Sequence, residues 1–313
     1  MKKQLIIFAV CCITSSACVR EVDIFLPDNP VVTNAEFNDL FQTLKPATET
    51  FQVATDQDTT LLSLQNIQLF VPQHAFSTLS GAPVSGMVEV HLSHAFRKGT
   101  LVANRMSTST QVAVFEHIGA IYIEATQNNQ PLKMAPSAKL RFDIPRAPSD
   151  TDIRLFKGVN DQEGKTLWLD TNEQNLIAAS EMFNTQTQLW ETSWQWESAS
   201  MGWVACGQYL EAEYPHEFCV TLPDDFDGSN TAVFAVFEDV NSVVELEWKA
   251  SSGGFCSNLI PEGRVVTLLS ISAKEQNHYL GYAEAVLEGS SLTIPIQPIG
   301  TDPAVLAQLL DEL

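Results

Sequence analysis

The stretch MVEVHL, residues 87–92, alternates apolar and polar side chains and decides the fold class of the chain. Successive side chains of a β-strand point to opposite faces, so this period of two predicts a strand with one buried face. The same period recurs at residues 121–125 and 139–144. Turn-forming clusters separate these runs without a helix-length periodic stretch, which favours an antiparallel β-sandwich over a parallel α/β fold.

A second strand-rich region follows in the C-terminal half. Its runs with strand character are residues 189–196, 232–237, 243–248, 265–272, 279–287 and 292–296. The run 232–237 is apolar throughout, as expected of a strand that is covered on both faces. We therefore predict an all-β protein with two consecutive antiparallel β-sandwich domains.

Two short helices are predicted outside the strand-rich regions. Residues 33–36, TNAE, have capping-box spacing, and the apolar residues that follow share one helical face as far as Lys45-Pro46. Asp302-Pro303 starts a C-terminal amphipathic helix, because proline suits the first helical position. Its apolar side consists of Val305, Leu306, Leu309, Leu310 and Leu313.

The proline-rich segment 145–150 indicates a domain boundary. We assign residues 35–148 to the first sandwich, 149–184 to a bridging hairpin and linker, and 185–313 to the second sandwich with its C-terminal helix. The turn-forming run 160–164 lies between two short apolar stretches, which is typical of a hairpin.

The N-terminus has the character of an export signal. Lys2 and Lys3 precede nine apolar residues, 5–13, and the run TSSAC follows at 14–18. The apolar segment is shorter than the roughly 20 residues that span a bilayer. We predict a signal peptide at residues 1–17 and an extended tether at 18–34.

Cys18 is the predicted lipidation site. A cysteine directly after small residues resembles the lipobox of bacterial lipoproteins, which implies a diacylglycerol on its sulfur and an acyl chain on its amine. Ser15-x-Ala17 also satisfies ordinary signal cleavage, and both routes cut the Ala17–Cys18 bond. Val19 and Arg20 follow, and the lack of Asp there favours the outer membrane.

The chain is strongly acidic, with a formal net charge of −21 over 313 residues. A field of this sign repels nucleic acid and anionic lipid headgroups. We therefore exclude a nucleic-acid partner and expect a membrane association through the lipid anchor alone.

Three sequence blocks carry a family resemblance: residues 70–76, 81–90 and 119–125. They resemble the strand-and-turn pattern of ZU5-like domains. With the later Leu155-Phe156, Trp168 and the run GWVAC at 202–206, they are similar to a group of uncharacterised Gram-negative lipoproteins. The resemblance implies a β-sandwich and a surface location, and it implies no activity or site residues.

The mature chain would keep three cysteines besides the anchor. Cys206 and Cys219 are near enough in sequence for neighbouring strands to join them, and Cys256 is the competing partner. The oxidising compartment predicted above favours one disulfide within the second domain. No C-x-x-C spacing or Cys/His cluster indicates zinc.

Catalytic motifs are missing from the sequence. His91 and His94 lie three apart on a predicted strand, so their imidazoles should diverge. No HExxH motif, nucleophile elbow or glycine-rich phosphate loop occurs.

One loop offers candidate calcium ligands. Asp225, Asp227 and Asn230 stand in the run DDFDGSN at 224–230, reminiscent of loops that supply oxygen ligands at alternate positions. Aspartate and glycine are also the residues that β-turns prefer, so plain turn chemistry is the competing interpretation.

Four tryptophans, at positions 190, 194, 196 and 203, are concentrated in a short segment. Trp194 and Trp196 share one strand face, and exposed aromatic rings can stack on sugars or anchor a partner protein. The alternative is that they fill a sandwich core, as large aromatics commonly do.

Together these patterns predict a lipid-anchored lipoprotein of the cell envelope that binds or scaffolds without catalysis. The expected partners are envelope proteins or surface glycans, with no obligatory cofactor. Two alternatives remain open: a calcium-stabilised glycan-binding surface protein and an envelope hydrolase.

Overall fold

Strands make up most of the folded chain. The structure, a computed structural model, describes residues 33–145, 152–160, 165–171, 177–184, 187–211, 213, 217–286 and 292–313. The predicted signal peptide, Cys18 and nearly all of the tether lie outside the described residues, as does the hairpin turn at 161–164.

The strands up to the middle of the chain are β1 Glu49–Ala54, β2 Thr59–Leu62, β3 Gln68–Val71, β4 Phe76–Thr78, β5 Met87–Ala95, β6 Phe115–Gln127, β7 Gln130–Met134, β8 Leu140–Pro145, β9 Arg154–Asn160 and β10 Thr166–Asp170. Those that follow are β11 Ile177–Asn184, β12 Leu189–Ser198, β13 Gly202–Tyr209, β14 Phe218–Thr221, β15 Thr231–Phe237, β16 Val243–Lys249, β17 Gly254–Ser257, β18 Val265–Lys274, β19 Asn277–Val286, β20 Leu292–Pro295 and β21 Ile299–Thr301. The helices are α1 Ala35–Leu44, α2 Lys98–Ala103 and α3 Pro303–Glu312.

Two sheets form the first sandwich. The first sheet has the order β1-β5-β6-β13-β9-β10, with β7 and β4 attached beyond β6, and the second has the order β11-β12-β8-β3-β2. As the alternation in residues 87–92 predicts, the side chains of Val88, Val90 and Leu92 point into the core between these sheets. The all-β, antiparallel fold class predicted from the sequence is confirmed.

The third sheet holds the C-terminal strands, in the order β20-β14-β17-β16-β15-β18-β19-β21. Its strands are antiparallel except for the parallel pair β14 and β20. Buried side chains from β14 to β19 pack together in one core.

The two faces of strand β15 contact two different hydrophobic cores. Val233, Ala235 and Phe237 point into the core of the third sheet, whereas Phe234 and Val236 point into a core shared with the first sheet and the helices. All seven of its residues are buried. The prediction of a strand covered on both faces at 232–237 is confirmed.

The predicted domain boundaries require correction. Strand β12 pairs with β8, and β13 pairs with both β6 and β9, so residues 189–209 complete the first sandwich instead of opening the second domain at 185. The predicted linker 149–184 contributes β9, β10 and β11 to the same two sheets. Strand pairing is non-local, and sequence order did not reveal that the chain returns to its first sheet.

Hydrogen bonds tie the sandwich to the third sheet. The Asn241 side-chain amide donates to the carbonyl oxygens of Phe96 and His117, and the Ser242 hydroxyl donates to the carbonyl oxygen of Phe115. The Thr108 hydroxyl accepts from the backbone N–H of Val243. Residues 31–313 accordingly form one compact unit.

The helices lie beside the core that the first and third sheets share. The Asn34 side chain caps α1 by accepting from the N–H of Phe37, and Asp302 caps α3 by accepting from the N–H of Ala304. The predicted cap therefore moves by one residue, from Thr33 to Asn34. The six-residue α2 was not predicted. In the described part of the chain, no helix is long and apolar enough to cross a membrane.

Candidate functional site

Trp194 and Trp196, the predicted ligand face, lie in the core of the first sandwich. Trp194 is 8 % exposed and Trp196 is fully buried, with its ring 5.5 Å from that of Phe142. Trp194 and Trp196 are two residues apart on β12, so both rings point to the same face of the second sheet. This face packs against the first sheet. The prediction of a binding face at these two positions is wrong, and the competing interpretation as core residues is correct.

The disulfide joins Cys219 to Cys256, with the two Cα atoms 4.1 Å apart. Antiparallel pairing of β14 and β17 places these residues directly opposite each other. Cys206, the predicted partner of Cys219, is buried on β13 in the first sandwich. The predicted pairing of Cys206 with Cys219 is therefore wrong, since Cys206 belongs to a different sheet.

In the predicted calcium loop, oxygen atoms accept hydrogen bonds from groups of the same loop. Asp227 Oδ1 accepts from the N–H and the hydroxyl of Ser229, and the Asn230 side-chain amide donates to the carbonyl oxygen of Asp225. The carboxylate of Asp225 pairs with Lys274 at 2.8 Å, which lowers the pKa of that carboxyl. These are the contacts of a hydrogen-bonded turn closed by a surface ion pair, so turn chemistry explains this sequence better than calcium does.

The outer face of the first sheet carries a different set of side chains, which we call the polar face. Its members point away from the sandwich core, on strands β1, β5, β6 and β13. They are Thr50, Gln52, Glu89, His91, Ser93, Tyr122, Glu124, Thr126 and Trp203.

Cross-strand register places these side chains side by side. Thr50 is opposite His91, and His91 is opposite Glu124. In the next row of the same face, two residues further along β5, Ser93 is opposite Tyr122, and Tyr122 is opposite Trp203. Neighbours in such rows have Cβ atoms about 5 Å apart, which is close enough for their side chains to contact one ligand.

An aromatic pair stands at one end of the polar face. The rings of Tyr122 and Trp203 have centroids 5.4 Å apart at an interplanar angle of 55°, and both side chains are half-buried. Gly158 permits this packing, because a Cβ there would stand 2.6 Å from Cβ of Trp203. Burial, and then the nearby carboxylate of Glu124, raises the pKa of the Tyr122 hydroxyl, so the phenol stays neutral at physiological pH.

Hydrogen bonds hold the polar members in place. His91 Nδ1 lies 3.1 Å from the hydroxyl oxygen of Thr50, and the Gln52 side-chain amide donates to Glu89 Oε1 at 2.9 Å. The Tyr122 hydroxyl donates to Glu124 Oε2 at 3.4 Å. These bonds fix side-chain positions in advance, which reduces the conformational entropy lost when a ligand binds.

The two histidines of the HLSH run diverge as predicted. His91 belongs to the polar face, whereas His94 shares the alternation of Val90 and Leu92 and stacks on Phe96, with ring centroids 5.4 Å apart. The two imidazoles therefore serve different surroundings and do not form a joint site.

Sequence patterns identified some members of the polar face as polar strand positions but did not group them. The alternation placed Glu89, His91, Tyr122 and Glu124 at polar positions of two strands. The missing information was the register between β5 and β6 and the arrival of Trp203 on β13 beside them.

Trp190 is the most exposed tryptophan in the described residues. It is 68 % exposed near the turn end of the β11–β12 hairpin, with its ring 5.7 Å from that of Phe183. It lies on the second sheet, apart from the polar face.

Comparison of the chain with models of known protein families, with curated proteins and with solved structures gave no match.

Proposed function

We propose that this protein is a lipid-anchored lipoprotein of the bacterial cell envelope that binds an envelope partner without catalysing a reaction. The signal-like N-terminus with Cys18 supports attachment to the outer membrane. The disulfide between Cys219 and Cys256 supports an exported protein, since disulfides persist in oxidising compartments.

The polar face is the observation that carries the binding function. Its aromatic pair, hydroxyls and carboxylates stand on one rigid sheet, and their positions are set by cross-strand register. A face of this kind presents a fixed pattern of apolar surface and hydrogen-bonding groups to a partner.

Calcium has no part in this proposal. Lys274 already neutralises Asp225, and the side chains of Asp227 and Asn230 are engaged within their own turn.

Lipid attachment is tested on the Cys18→Ala variant. The wild-type chain should fractionate with the outer membrane, and mass spectrometry should find Cys18 modified by acyl chains. The variant should lose both properties. Recovery of the wild type as a soluble periplasmic protein that begins at an unmodified Cys18 would contradict the anchor.

Binding is tested by retention of envelope proteins and glycans on the immobilised full chain. Glu124→Gln and Tyr122→Phe change the polar face with little change in volume, and both should reduce retention. Trp190→Ala is the control, because it removes an exposed ring from the other sheet of the sandwich. Equal retention by all variants would argue against the polar face, and turnover of a substrate by the wild type would argue against the non-catalytic assignment.

A further inference from the structure

The polar face combines features that match one ligand chemistry. Two aromatic rings, two carboxylates, a carboxamide and several hydroxyls lie within three neighbouring rows of one sheet. Resting on the proposed binding function, we infer that this face binds a neutral saccharide, with Tyr122 and Trp203 as the stacking surface and Glu124 and Glu89 as acceptors for sugar hydroxyls.

The aromatic pair supplies the apolar part of the contact. A pyranose ring has an apolar C–H face, and an aromatic ring offers a flat surface of negative potential to such hydrogens. Tyr122 and Trp203 lie on adjacent strands with ring centroids 5.4 Å apart, and each ring keeps part of its surface exposed, although Trp203 also packs against the core that the first and third sheets share. Because the rings are tilted by 55° to each other, they match a curved polysaccharide chain better than a flat one.

The polar members supply directional contacts next to the rings. An ionised carboxylate only accepts hydrogen bonds, whereas a sugar hydroxyl can donate one. Glu124 lies in the row adjacent to Tyr122, and Glu89 lies one row further along β5. Bonds to charged acceptors are stronger than neutral ones, so these carboxylates would fix the orientation of a sugar that the rings attract.

Charge decides between neutral and anionic saccharides. The named members of the polar face include Glu89 and Glu124 but no lysine or arginine, and the chain as a whole has a formal net charge of −21. Placing uronate, sulfate or phosphate groups beside these carboxylates is electrostatically unfavourable. Hydroxyl-rich neutral sugars meet no such penalty.

Affinity electrophoresis of the purified full chain tests the inference. The gels contain a neutral glucan, a neutral galactomannan or the anionic polysaccharide alginate. At least one neutral polysaccharide should retard the wild type, and alginate should not. Retardation should persist in about 0.5 M sodium chloride, because contacts between hydroxyls and carboxylates at close range depend little on salt screening.

Variants locate the site and separate binding from folding. Tyr122→Ala and Glu124→Gln should each weaken binding about tenfold, the change that about 1.4 kcal/mol produces. Glu124→Gln is isosteric, so a loss in this variant with an unchanged melting curve does not reflect unfolding. Trp190→Ala removes a larger and more exposed ring and should bind like the wild type.

The outcomes distinguish this inference from the proposed function. Retardation by alginate alone, or neutral binding that Tyr122→Ala and Glu124→Gln leave intact, would overturn the saccharide inference. If no polysaccharide retards the chain but envelope proteins are retained through Tyr122, the inference fails and the proposed function stands. If neither glycans nor envelope proteins are retained, both fail.

Discussion

Gly99 of α2 lies directly against the backbone of Leu310 in α3: a Cβ at position 99 would stand 1.7 Å from the carbonyl oxygen of Leu310. No side chain fits between two backbones at this distance. The glycine therefore sets how closely the two helices approach, and with them the packing of the core that the first and third sheets share.

Gly99→Ala should destabilise the protein by about 3 kcal/mol, because relief of the overlap requires one helix to move. Gly300→Ala is the matched control: Gly300 lies just before α3, has no atom near its virtual Cβ, and should tolerate alanine. Urea denaturation measures both. Equal midpoints for the two variants would show that α2 and α3 can separate without cost.

Loss of the disulfide should cost about 4 kcal/mol, the value expected for a bridge that closes a loop of 37 residues. Cys219→Ser and Cys256→Ser should have similar effects, and Cys206→Ala should leave the bridge intact. Non-reducing peptide mapping checks the connectivity. A Cys206–Cys219 peptide would contradict the register of β14 and β17.

Trp196→Ala should destabilise the first sandwich by roughly 3–5 kcal/mol, since it removes a large, fully buried ring. Trp190→Ala should cost less than about 1.5 kcal/mol, because its ring is largely exposed and packs on Phe183 near the surface. Thermal and chemical denaturation compare the two. A stable Trp196→Ala variant would place this ring outside the core.

Acid should weaken the fold through His94. Burial, the largest effect, lowers its pKa from the usual 6.5, and Arg97 adds to the shift while Glu49 opposes it. The unfolded chain therefore takes up the proton first as the pH falls. The stability that neutral His94 contributes is fully present above about pH 6.5 and is lost as the pH falls from there through the folded pKa.

The His94→Gln variant isolates this contribution. Unfolding free energies at about pH 8 and about pH 5 should differ more in the wild type than in the variant, which has no group titrating at this position. Identical differences in both proteins would mean that His94 is as easily protonated in the folded chain as in the unfolded one.

Calcium should not change the melting temperature. A ligand raises the melting temperature only when it binds the native state, and Asp225, Asp227 and Asn230 each already have a side-chain oxygen that accepts a hydrogen bond, from Lys274, Ser229 and Thr231 respectively. Melting curves recorded in excess calcium and in EDTA should coincide. A rise that Asp225→Asn abolishes would restore the calcium interpretation.

Local patterns predicted the parts of this fold that depend on local physics. The period-two runs correspond to β5, β6 and β8, the apolar run 232–237 corresponds to β15, and Asp302-Pro303 marks the start of α3. The short α2 was not predicted because Gly99 and two β-branched residues give its sequence a low helix propensity. Packing against α3 compensates for this low propensity in the folded chain.

The candidate site depended on information that local patterns do not contain. Tyr122 and Trp203 are adjacent only because β13 pairs with β6, across about half of the first sandwich's sequence. Other strand pairings have the same effect: β12 pairs with β8, which places Trp196 in the core, and β14 pairs with β17, which places Cys256 opposite Cys219. Residue types indicated candidates, and strand register selected among them.

The position of β13 between β6 and β9 also affects how the chain must fold as it is synthesised. Until residue 209 has emerged, β6 and β9 lack the strand that joins them, and their backbone groups remain open to other chains. The edges of β6 and β9 that face β13 must therefore stay unpaired until about two-thirds of the chain has been made, which favours slow folding and dependence on holding chaperones.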